Sequence, residues 1–147
     1  MPKEVIDFIH SQWLSVLAVE MMDGSPHGAT MHFVFNKDTS TFFLQTYNTF
    51  HKAQAILERE QSRASMVVGF NDNDRRTLQL DGTVQVLKTD TEKYIFEKLY
   101  FDKFPKKRGL AKDSKFLAFS FVPLKWHYTN WDSPGGKLVL TSEDKNK

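Results

Sequence analysis

The strongest constraint on this chain is a run of three strand-like segments in its first third, the last of which passes straight into a helical pattern. Residues 14–21 and 27–35 alternate apolar with other side chains, as half-buried strands do. Between them Asp23-Gly24-Ser25-Pro26 forms a turn. A second turn at Asn36-Lys37-Asp38 leads to a third strand over residues 41–47. Two hairpin connections in succession imply an antiparallel meander. In the third strand Phe42, Leu44 and Thr46 share one face and Phe43, Gln45 and Tyr47 the other. A helix is expected to follow, with Thr49 as its N-cap and Ala53, Ile56 and Leu57 as its apolar stripe. The junction from Thr46 to Lys52 gathers hydroxyls, a lysine and free helix N–H groups. A phosphate needs those donors, so a phosphorylated ligand is the leading expectation.

The rest of the chain continues this pattern. Val5, Phe8 and Ile9 fall at helical spacing within residues 2–12, a short amphipathic helix expected to plug one end of the core. Residues 64–70 and 77–88 read as strands on either side of Asn71-Asp72-Asn73-Asp74, with Gly82 as a candidate bulge. Residues 91–104 read as a helix closed by Pro105, with Ile95, Leu99 and Tyr100 on one side and Phe96 and Phe101 nearby. Strands are expected at 116–122, 125–132 and 138–141, the last two joined around Ser133-Pro134-Gly135-Gly136. Seven or eight short strands with helices inserted between them describe a mainly β chain. Closure removes exposed edges, so a closed or split antiparallel β-barrel is expected, with a sandwich as the structural competitor. Residues 1–141 read as one domain, and 142–147 as a polar, disordered tail.

Composition narrows the chemistry. Among 147 residues there is no Cys, which excludes disulfides, thiolate metal sites and thiol redox chemistry; any redox function must be borrowed from a cofactor. The N-terminal segment carries Lys3, Glu4 and Asp7, and no apolar run is long enough to span a bilayer, so a soluble, cytoplasmic protein without membrane partners is expected. A net charge of +2 does not call for a polyanionic partner. Lys103, Lys106, Lys107, Arg108, Lys112 and Lys115 form a basic run, read as a solvated loop; it carries no regular interleaving of aromatics, so nucleic acid is not expected. His27 and His32 lie an odd number of residues apart on one strand and therefore face opposite ways, so no metal site is expected. No Gly-x-Ser-x-Gly elbow supports a hydrolase triad. Thirteen Phe, four Tyr and three Trp suit a barrel core, a subunit interface or the walls of a planar-ligand pocket, with Trp126 and Trp131 as candidate walls.

Taken in order, Leu17-Ala18-Val19, Asp23-Gly24-Ser25-Pro26-His27, the strand through Phe35, Phe43-Leu44-Gln45-Thr46, Lys52, residues 64–70 and Leu78-Gln79-Leu80-Asp81-Gly82 resemble the pyridoxamine 5'-phosphate oxidase-like, FMN-binding split β-barrel family. Phe104-Pro105 and Phe121-Val122-Pro123-Leu124-Lys125-Trp126 are similar to a small, poorly characterised subgroup of it. The resemblance implies a homodimer with FMN sites in clefts between the subunits. It implies phosphate contacts at Thr46 and Lys52, with His51 beside them, and backbone contacts from Thr30, Met31 and His32 along the isoalloxazine edge. Two positions depart from the true oxidases: a phosphate-gripping Arg is Ala29 here, and a Ser before the basic pair is Phe50. The C-terminal segment that binds the pyridoxal substrate in those enzymes has no counterpart. The expectation is an FMN-binding flavoprotein acting as a flavin-dependent oxidoreductase on another small molecule. The alternatives are a non-catalytic module for FMN, another flavin-like cofactor or haem, and a structural dimer that has lost its ligand.

Overall fold

The computed structural model describes residues 1–146. Its elements are α1 (Lys3–Ser11), β1 (Leu14–Glu20), β2 (Pro26–Asn36), β3 (Thr41–Tyr47), α2 (His51–Glu58), β4 (Ser62–Val68), β5 (Arg76–Val86), α3 (Asp90–Lys103), β6 (Phe116–Asn130) and β7 (Leu138–Thr141). A 3₁₀ segment, Pro105–Lys112, follows α3, and another, Ser142–Asn146, follows β7. The sheet runs β3-β2-β1-β4-β5-β6-β7, and pairing of β3 with β6 closes the first six strands into an antiparallel barrel. The expected meander is present as β1–β2–β3, with Leu14 opposite His32 and Phe33 opposite Leu44.

Strand alternation sorts the apolar side chains into two clusters. Phe33, Phe35, Phe42, Leu44, Phe119 and Phe121 point into the barrel, while Val34, Phe43 and Leu87 point outward onto Phe96, Tyr100 and Phe101 of α3. Each buried aromatic or aliphatic side chain is worth about 1.5–3 kcal/mol, so these two layers carry the fold. Val5, Phe8 and Ile9 of α1 are fully buried and close one barrel end, as their spacing implies. Ala53, Ala55 and Ile56 form the buried stripe of α2; Leu57, expected there, is 49% exposed because Ala55 rotates the stripe away from it.

Several boundaries move for identifiable reasons. The helix expected from residue 91 starts at Asp90, because Thr89 and Glu92 form a reciprocal capping box. The strands expected at 116–122 and 125–132 are one strand, β6. A break is the natural reading of Pro123, which cannot donate to a ladder. Here a bulge absorbs it: Asp81 pairs with Lys125 and Gly82 with Pro123, leaving Leu124 as the extra residue, 70% exposed. Gly82 makes the bend possible, since a Cβ there would lie 2.2 Å from the Val122 carbonyl oxygen. The tail expected to be disordered instead folds back: Ser142 Oγ accepts from the Trp126 N–H, and the Asp144 carboxylate accepts from the Thr141 N–H and hydroxyl. Lys147, the end of that tail, lies outside the described residues. No helix among the described residues is long and apolar enough to cross a membrane.

Candidate functional site

The barrel is split along β2. β1 pairs with Pro26 through His32, but β3 covers only Phe33 to Asn36. Among the described residues, the stretch from Pro26 to His32 therefore has a free edge on the β3 side. Antiparallel strands direct the N–H and C=O of alternate residues to opposite sides. The Phe33 N–H donates to the Trp13 carbonyl, and the Met31 carbonyl accepts from the Ser15 hydroxyl, so these two residues face β1. Thr30, one residue out of phase, presents its backbone groups to the slit, and so does the N–H of His32, whose carbonyl lies where the Phe33–Leu44 pairing joins β2 to β3. Of the three expected edge residues, Met31 thus differs: its backbone faces β1 and its side chain lies in the core.

Where β3 ends beside this slit, α2 begins. Phe50, not the expected Thr49, occupies the N-cap position; it supplies no side-chain cap, and the first turn holds no acidic residue. The helix thus starts with uncompensated N–H groups. Lys52 sits in this first turn, where a cation opposes the helix dipole. It is half-buried and has neither hydrogen bond nor ion pair among the described residues; its Nζ lies 5.0 Å from the Phe50 ring centroid. Burial lowers its pKa, disfavouring the ammonium. Thr46, on the barrel face of β3, is 3% exposed, and its hydroxyl finds no partner among the described residues. An unpaired buried hydroxyl costs about 1–3 kcal/mol. The end of β3 and the start of α2 therefore combine a cation with neither hydrogen bond nor ion pair, a hydroxyl without a partner among the described residues, and free N–H groups.

His51 is exposed at the first position of α2, and the residue it meets is His27 of β2. Their ring centroids are 4.9 Å apart and the planes nearly perpendicular. Nothing in the sequence pairs positions 24 residues apart; only the tertiary arrangement does. Asp23 in the β1–β2 turn adds a favourable charge for His51. Its carboxyl is held below the usual range chiefly by the hydroxyl and N–H of Ser25, with His51 contributing less.

The side chain of His32 leaves this group for the opposite face of β2. Its Nδ1 lies 2.9 Å from Lys107 Nζ, and its ring packs edge-on against Phe104. Burial, followed by the charges of Lys107 and Lys103, lowers the His32 pKa. Lys103 donates to the Gln12 and Phe33 carbonyls at 2.6 and 3.2 Å, with its ammonium among the rings of Trp13, Phe33 and Phe104. The basic run is therefore not a uniformly solvated loop: Lys103 and Lys107 turn inward, and Arg108 lies over Phe101 near Asp102. The physical reason is that Pro105–Lys112 coils as a 3₁₀ segment against α3 and returns its lysine stems to aromatic surface.

Of the two candidate tryptophan walls, Trp126 is excluded, being 8% exposed and part of the barrel core. Trp131 is exposed and lines a cleft of about 670 Å3 with Phe70, Arg75, Arg76 and Thr77. Among the described residues no three His, Asp or Glu side chains are placed to hold a metal ion.

A family model described as pyridoxamine 5'-phosphate oxidase matches residues 1–130. No curated protein matches the sequence significantly. Among solved structures, the haem storage protein HutZ from Vibrio cholerae is similar at a TM-score of 0.66 and 19% identity, over 82% of this chain and 87% of that one. A pyridoxamine 5'-phosphate oxidase-related, FMN-binding protein from Nostoc punctiforme is similar at 0.66 and 16%, over 95% and 88%. A haem-binding protein from Mycobacterium smegmatis is similar at 0.74 and 12%, over 97% of this chain and 60% of that one. At these identities the likeness concerns the fold.

Proposed function

The chain belongs to the pyridoxamine 5'-phosphate oxidase family, and from that premise we propose that it is a dimeric FMN-binding flavoprotein acting as a flavin-dependent oxidoreductase. The observation that carries this reading is the Lys52 ammonium, with neither hydrogen bond nor ion pair, at the uncapped start of α2, together with the buried hydroxyl of Thr46, without a partner among the described residues. These groups fit a phosphate monoester. A dianion would neutralise Lys52, accept from the first N–H groups of α2 and interact favourably with its dipole. Thr46 and Lys52 would hold the phosphate with His51 beside them, and the backbone groups of Thr30 and the N–H of His32 would meet the edge of the ring system along the slit. Met31 would contribute by filling the core behind that edge.

When bound, the flavin supplies hydride or electron transfer. The chain's own residues bind, orient and shield it; none is assigned as a catalytic acid, base or nucleophile. Pyridoxamine phosphate is not the proposed substrate, because Ala29 has no polar side-chain group for a phosphate. A second subunit would complete the cleft, and Trp131 is the exposed one of the two candidate tryptophan walls.

The experiment is an FMN titration of the wild type and Lys52→Ala, followed by flavin fluorescence and melting temperature. Ligand bound only to the native state stabilises it by about 2.7 kcal/mol at a hundredfold excess over Kd. Binding that Lys52→Ala weakens by about tenfold or more supports the site, since loss of a charge-assisted contact is worth about 1.5–3 kcal/mol. Absence of binding in the wild type overturns it. The second reading is a module that carries haem or a flavin-like cofactor without turnover. It is favoured by the haem-binding proteins among the structural neighbours. A Soret band on haem addition, with no flavin uptake, would select it.

A further inference from the structure

We propose that His27 and His51 act as one proton-linked element of the anion site at the start of α2, so that this chain takes up a proton when it binds a phosphate monoester. The inference rests on the phosphate-site reading above and adds a residue, His27, and a regulation to it.

His27 lies on the face of β2 that also carries Ala29, which has no polar side-chain atom, and Met31, which is buried. His27 is therefore the polar side chain that this part of β2 directs toward α2, and the ring it meets belongs to the residue preceding Lys52. The two imidazoles are in edge-on contact, with ring centroids 4.9 Å apart, and Lys52 follows His51 in the first turn of α2. The helix start opposes positive charge. On the other side of the balance, Asp23 is the acidic group that acts on His51. Glu20, at the end of β1, is engaged by Arg63 and so is not free to neutralise the pair, and the Arg59 guanidinium is tied to the Glu20 and Met21 carbonyls. A dianion bound beside these rings and Lys52 adds an opposite charge that favours the imidazolium and draws a proton onto the pair. Imidazole is the side chain suited to this, because its charge changes between about pH 5 and 8.

The test is calorimetry of FMN binding near pH 7 in buffers of different ionisation enthalpy, which counts the protons exchanged. The sign discriminates, because a phosphate monoester with a second pKa near 6 can only release protons when it binds as the dianion. Wild type is expected to take up a substantial fraction of about one proton. His27→Gln and His51→Gln should each take up less, and the double variant none, with melting temperatures confirming that all are folded. In parallel, the imidazole C–H resonances of His27 and His51 should move saturably with sodium sulfate, a dianion that does not titrate in this range, but not with sodium chloride. Proton uptake by His27→Gln equal to that of wild type, or no uptake by either, overturns the proposal while leaving the phosphate site standing if Lys52→Ala still weakens FMN. No FMN binding and no sulfate response overturns both.

Discussion

Lys107 Nζ lies 2.9 Å from Nδ1 of His32, and among the described residues neither group has a carboxylate partner. The contact requires a neutral imidazole that accepts the ammonium proton. It joins the 3₁₀ segment after α3 to β2, on the face opposite the slit.

That contact sets an acid limit on stability. The folded-state pKa of His32 lies below its ordinary value, through burial first and then Lys107 and Lys103. As pH falls below about 6.5, the unfolded chain binds the proton before the folded one does, so this group's contribution is present above that value and is lost through the lower folded pKa. Melting temperature measured from pH 8 down to 5 should fall more steeply for wild type than for His32→Gln. Parallel curves would refute the assignment.

Lys103 gives the opposite limb. Burial brings its pKa down to about 8. Between that value and the unfolded one near 10.4, the unfolded chain holds more protons than the folded chain, so stability attributable to Lys103 rises with pH across this window. Lys103→Met should abolish that rise in chemical denaturation between about pH 8 and 9.5, below the range where tyrosines titrate. It should also leave the Gln12 and Phe33 carbonyls without their donor, at a cost of about 1–3 kcal/mol offset by relief of the desolvated charge.

Gly82 and Gly28 form a matched pair of strand glycines. A Cβ at Gly82 would meet the Val122 carbonyl oxygen at 2.2 Å and its carbon at 2.9 Å, both backbone, whereas one at Gly28 meets nothing within 4 Å. Gly82→Ala should cost about 3 kcal/mol or prevent folding, as overpacking against an immovable neighbour does. Gly28→Ala should gain about 0.5–1 kcal/mol through backbone entropy. Urea midpoints of the two variants decide it; a tolerated Gly82→Ala would contradict the bulge geometry.

Thr46 separates binding from stability. Its buried hydroxyl has no partner among the described residues, so Thr46→Val should leave the ligand-free protein equally stable or raise it by about 1 kcal/mol. The same change should weaken FMN. A residue holding the fold would instead lose stability on substitution, so denaturation of the ligand-free form together with an FMN titration distinguishes the two roles.

Much of the fold was legible because it is written in local chemistry. Alternation located β1, β2 and β3, and the Asp23-Gly24-Ser25-Pro26 turn set the first hairpin. Gly82 was readable as a bulge because its surroundings alternate and it does not. Pro123 misled for the same local reason: a missing N–H reads as a break, and only the partner strand shows that a bulge accommodates it. At the candidate site, Lys52 and Thr46 were legible from their place at a strand-to-helix junction. Their lack of partners was not, since that depends on every other residue brought near them.

What the chain determines by itself is periodicity, turn position and the residue types at each junction, because these follow from neighbours within a few positions. Closure of β3 onto β6, the free edge from Pro26 to His32, the meeting of His27 with His51, and the inward turn of Lys103 and Lys107 were decided only by tertiary structure. Each is a contact across distant sequence, fixed by strand register and core packing; a register of β2 shifted by one residue would carry His27 and His32 to the other face.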